Sequence, residues 1–83
     1  MRNAREKKPH VVVTFSSLDD AAECEIAARD KGIPGRIIPV PSEISAGCGM
    51  AWAVPAEAEA DLRAALSAEH LPHEGVFTVD LYA

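Results

Sequence analysis

Six prolines, at positions 9, 34, 39, 41, 55 and 72, limit where this chain can form regular structure. Proline lacks an amide hydrogen and fixes φ, so it belongs at the ends of helices and at the edges or ends of strands. The stretches free to form helices are therefore 18–31, stopped by Gly32 and Pro34, and 55–70, opened by Pro55 and closed before Pro72. In the first, Ala21, Cys24, Ala27 and Ala28 fall on one side and Asp19, Glu23 and Asp30 on the other. Ser16 with Asp19, or Ser17 with Asp20, has capping-box spacing at its start, and Gly32 suits a left-handed cap at its end. In the second, Pro55 fits the first turn, Ala58, Leu62, Ala65 and Leu66 share a face, and Glu59 and Arg63 are spaced to pair.

The segments between read as strands. His10–Phe15 is β-branched and aromatic, with Val11, Val13 and Phe15 on one face and His10 expected to be exposed. Gly35–Val40 has the proline density of a strand ending at a sheet edge. Met50–Val54 alternates Met50, Trp52 and Val54 with Ala51 and Ala53, and Trp52 is expected in the core. Val76–Tyr82 is the last strand, with Phe77, Val79 and Leu81 expected to face the core. The order β-α-β-β-α-β, with right-handed crossovers, predicts a ferredoxin-like α+β sandwich: a four-stranded antiparallel sheet with both helices on one face. Residues 1–9 are expected to be a basic, disordered head and residues 10–83 a single domain.

Size and charge narrow the function. Of forty apolar residues among 83, fifteen are alanine, which leaves too little bulk for a deep active-site cleft. The first eight residues carry +3 and the remainder −8. An acidic domain repels phosphate backbones, so nucleic acid is not the expected ligand. The head lacks the apolar core of a signal peptide and no run suits a membrane span, so the expected location is the cytoplasm, where two cysteines stay reduced.

The loop of residues 41–49 is longer than a hairpin needs and carries Gly47-Cys48-Gly49. Glycines on both sides leave the thiol unshielded, and successive amides in such a turn can converge on an anion and favour thiolate. The same glycines could equally be there only to turn the hairpin. Ser45, Gly47, Gly49 and Arg36 are the candidate supports for a Cys48 thiolate. Cys24, on a stripe of alanines, reads as an apolar filler. No metal site is expected: His70 and His73 are separated by Pro72, and no ligand set surrounds them. Ser42 and Ser45 lack the strained turn and neighbouring histidine of a hydrolytic triad.

The run Gly32-Ile33-Pro34, Arg36-Ile37-Ile38-Pro39-Val40-Pro41, Glu43-Ile44-Ser45 and Cys48-Gly49-Met50-Ala51 resembles the family described as Putative Se/S carrier protein-like. The likeness extends over residues 10–79, including the Val-Thr-Phe strand, Glu25 and Glu74-Gly75. It implies that Cys48-Gly49 carries sulfur or selenium in the reduced cytoplasm without a cofactor. The donor would be a cysteine desulfurase or selenocysteine lyase-like protein, and the acceptor a protein that uses the atom. One departure is Ser42, where similar chains carry Arg; ionisation of the thiol would then rest on Arg36 or on loop amides. The reading is a carrier rather than a turnover enzyme. Its alternative is a small-ligand sensor or protein-interaction module using the same loop, with homodimerisation left open. A dithiol enzyme pairing Cys24 with Cys48 is a third reading, and it requires the two to meet in space.

Overall fold

In the computed structural model, which describes residues 7–42, 44 and 49–82, the prolines and glycines delimit seven elements. They are β1 (Lys7–Thr14), α1 (Leu18–Asp30), β2 (Arg36–Pro39), β3 (Met50–Pro55), a 3-10 turn (Ala56–Ala58), α2 (Glu59–Ala68) and β4 (Gly75–Tyr82). The strands form one antiparallel sheet in the order β2-β3-β1-β4, which with the β-α-β-β-α-β succession is the expected ferredoxin-like arrangement.

Both helices end by the same device. The side chain of Ser17 caps α1 by accepting from the Asp20 amide at 3.2 Å, so the second of the two capping spacings is the one used. At its other end Gly32 takes φ +71°, its amide donates to Arg29 and the Ile33 amide donates to Ala28. This Schellman pattern satisfies carbonyls that the helix would otherwise leave open. At the end of α2, Leu71 donates to Leu66 and His70 donates to Ser67. Here the left-handed position is held by His70, at φ 51°. A side chain there clashes with its own backbone, which glycine avoids.

The core between sheet and helices is built from Val11, Val13, Phe15, Trp52 and Val54 on the strands and Ala21, Cys24, Ala28, Leu62, Ala65 and Leu66 on the helices. Alanine and cysteine along α1 allow close approach, and the Trp52 indole fills the resulting space. Gly35 is part of that fit, because a Cβ there would stand 2.8 Å from both the Ala53 carbonyl oxygen and the indole. Cys24 is buried, and desolvation pushes its thiol from 9.0 up to about 11.

Four expectations need correction. β1 starts at Lys7, three residues before the expected start, because β4 runs on to Tyr82 and pairs Lys7 with Tyr82, Lys8 with Leu81 and Pro9 with Asp80. Pro55 ends β3 opposite His10 instead of opening the helix; β2 flanks β3 only as far as Ala53, so a proline is tolerated beyond it. His10 is buried, with Nδ1 2.8 Å from the Lys8 carbonyl, which can only accept, so Nδ1 donates. Phe77, Val79 and Leu81 do not face the helices. Phe77 lies opposite Val12 and Val79 opposite His10, which puts all three on the helix-free side, while Val76 packs toward the helices.

That helix-free side carries a second apolar cluster of Val12, Ala51, Ala53 and Val79, with Ile38, Val40, Ile44 and Leu81 packed on it. Val12 and Ala51 are wholly removed from solvent there. The sheet is thus covered on both sides, by two helices on one and by long side chains, among them Val40 and Ile44 of the β2–β3 connection, on the other.

Two expected outcomes follow from these observations. His70→Gly removes the left-handed penalty and raises stability in urea by about 1 kcal/mol; no gain would show that the position is unstrained. Cys24 is neutral when folded and ionises more readily when unfolded, so its contribution is intact below pH 9.0 and is lost as pH rises toward 11. Wild type should lose as much as about 2 kcal/mol more than Cys24→Ala across that window in urea titrations; equal losses would contradict the burial.

Candidate functional site

The connection between β2 and β3 leaves one end of the sheet's edge hairpin, and its two ends are well fixed. The Val40 amide donates to the Gly49 carbonyl at 3.0 Å, which closes the loop at its base. Gly49 sits at φ +79°, in the left-handed region, with open space where a Cβ would project. Glycine at this position is therefore a backbone requirement. Within the loop the Ile44 amide donates to the Pro41 carbonyl at 2.9 Å, and the Ile44 side chain packs with Val40 on the helix-free cluster. Ile44 also reaches a depression lined by Phe77 and Val79 of β4, so this residue of the connection lies over the helix-free face of the sheet. Part of the loop's length serves as this cover. Cys48, Gly47 and Ser45 lie outside the described residues.

Arg36 is the first residue of β2, opposite Ala53, while the loop joins the sheet at the Pro39–Met50 pair. Three residues of strand, about 10 Å, separate the two ends. The exposed Arg36 guanidinium donates to the Tyr82 carbonyl at 3.4 Å, tying the start of β2 to the end of β4. Cys24 lies under α1 on the helix side of the sheet, opposite the face on which Ile44 packs. It is a free thiol, and its raised pKa keeps it protonated and unreactive at neutral pH.

The remaining candidates separate in the same way. His70 and His73 are exposed, and His73 Nδ1 donates to the Leu71 carbonyl at 2.8 Å. Among the described residues no cluster of His, Cys, Asp or Glu is arranged to hold a metal ion, and no helix is long and apolar enough to cross a membrane. Trp52 is buried as expected, and its indole N–H has no hydrogen-bond partner among the described residues. A depression of about 590 Å³ lies at the other end of β3 from the loop's base, among Lys8, His10, Pro34, Pro55, Glu57 and Asp61. Sequence reading missed it, because it assembles from four separate segments. One signal was available: His10 shares a strand face with Val12, so a covered second face buries both.

A family model described as Putative Se/S carrier protein-like matches residues 10–78, a span that takes in both ends of the loop and the Cys48-Gly49 pair. No curated protein and no solved structure matches the chain. With the match running from the first strand through most of the last, the chain belongs to the Putative Se/S carrier protein-like family.

Proposed function

We propose that this protein is a sulfur or selenium carrier whose working atom is the Cys48 sulfur. The observation that carries the reading is the family match across a loop in which Cys48 adjoins a glycine, Gly49, held at positive φ. A carrier needs one accessible nucleophile and no deep pocket, which suits a domain whose described depressions are open and shallow. The Cys48 thiolate attacks the terminal sulfur of a persulfide on the donor; the new S–S bond forms as the donor's S–S bond breaks, and the donor leaves as thiolate. Cys48 then holds a persulfide, or a selenosulfide when the terminal atom is selenium. An acceptor nucleophile takes that atom in the same manner and returns Cys48 to thiolate, so no net oxidant is consumed.

The shell of the thiolate in this reading is the loop itself: the Gly47 and Gly49 amides and the Ser45 hydroxyl. Arg36, engaged with Tyr82 at the far end of β2, contributes its positive charge at a distance. The donor is a protein of the cysteine desulfurase or selenocysteine lyase kind, the acceptor a protein that consumes the atom, and the setting a reducing compartment such as the cytoplasm. Cys24 takes no part, since it lies in the core on the helix side of the sheet.

Incubation with a desulfurase and cysteine, or with a lyase and selenocysteine, followed by intact-mass measurement, tests the assignment. Wild type should gain one sulfur or selenium atom, and Cys48→Ala should gain none. An unmodified wild type, or equal gain by Cys48→Ala, would reject the carrier reading. It would leave the loop as the contact surface of a binding module, consistent with Ile44 anchoring it to the sheet.

A further inference from the structure

The two edges of the sheet are unlike. β2 is four residues long, ends in Pro39 and is bracketed by Pro34 and Pro41, so it presents few amides to an incoming strand. β4 is eight residues long, contains no proline and carries a single charge, Asp80. Its inner side pairs with β1 over its full length, and among the described residues nothing pairs with its outer side. A shallow groove of about 440 Å³ follows β4, lined by Lys7, Ile44, Phe77, Thr78, Val79 and Asp80. Among the described residues, two of the four large apolar side chains that remain exposed, Phe77 at 41% and Tyr82 at 49%, belong to this strand. A long, unblocked edge beside a groove of mixed apolar and polar lining is suited to receive another extended strand.

We infer that the occupant is β4 of a second copy, joined antiparallel about a twofold axis at Val79, so that two sheets become one of eight strands. The sequence of β4 selects this register. A twofold normal to the sheet keeps each face on its own side, so only residues of like parity stand opposite one another. With Val79 on the axis, Phe77 meets the partner copy's Leu81 and Val76 meets its Tyr82, which gives an apolar pair on each face. Asp80 then stands opposite Thr78, whose hydroxyl can donate to the carboxylate. Centring on Thr78 sets Asp80 against Val76, and centring on Asp80 sets two carboxylates face to face, which is repulsive. The inference is independent of what Cys48 carries.

Single cysteines placed along β4, in a chain with Cys24→Ala and Cys48→Ala, read the register. On the axis the two Val79 Cα atoms stand about 5 Å apart, within disulfide range, whereas Thr78 and its symmetry mate, or Asp80 and its mate, are about 8 Å apart. Val79→Cys should therefore cross-link under mild oxidation by oxidised glutathione, while Thr78→Cys and Asp80→Cys should not. Sedimentation of the unaltered protein supplies a second reading that needs no core substitution. Wild type should sediment at twice its 8.8 kDa mass. Phe77→Lys should weaken the dimer by about tenfold or more, since one substitution acts twice across a twofold. A wild-type monomer at ~100 µM, cross-linking of Thr78→Cys as readily as Val79→Cys, or a dimer indifferent to Phe77→Lys would each overturn the proposal.

Discussion

β1 is buried on both faces, and the other elements are arranged around that requirement. Val11 and Val13 point into the helix-side core, and Val12 points into the cluster on the other side, where it is as fully removed from solvent. A single antiparallel sheet with helices on one face ordinarily leaves the other face wet. Here Ile38, Val40, Ile44 and Leu81 shield it, which lets a chain in which fifteen of forty apolar residues are alanine gain burial from both sides of one strand. The order β2-β3-β1-β4 follows from the same need, since it puts β1 and β3, the strands with the most enclosed side chains, in the middle.

This constraint links the fold to the candidate site. The β2–β3 connection has a structural task, carried by Ile44, and that anchoring leaves Gly49 and the closing Val40–Gly49 hydrogen bond at a fixed place beside the sheet. In the proposed carrier, Ile44 and the Val40–Gly49 hydrogen bond fix the flanks of the segment that holds the nucleophile, and no cleft is needed to position them. Cys24 shows the contrasting use of the same residue type. Its thiol is pushed up to about 11 by burial and serves to fill space beneath α1.

Much of the fold was legible in the sequence because local rules acted alone there. Ser17 and Gly32 marked the ends of α1, and the Ala-Cys stripe and the Ala58-Leu62-Ala65-Leu66 face identified the buried sides of both helices. What was not legible depended on partners distant in the chain. Strand alternation groups Phe77 with Val79 and Leu81 but does not say which side they take; the register against Val12 and His10 decides it. Lys7–Pro9 has no strand signal of its own and is extended because β4 is long enough to pair with it. Ile44, one apolar residue in a polar loop, gave no sign of spanning the sheet. At the site, the residue type of Gly49 is enough to read its conformation, whereas the Arg36 side chain takes a partner, Tyr82, that no local pattern announces.

If the loop presents Cys48 as a thiolate at neutral pH, the pH dependence of its alkylation will report it. In a Cys24→Ala chain, the rate of reaction with iodoacetamide should rise with a midpoint near or below about pH 7, well under the ordinary cysteine value of about 8.5. A midpoint at about 8.5 or higher would contradict the claim and leave the loop as a contact surface without an activated nucleophile.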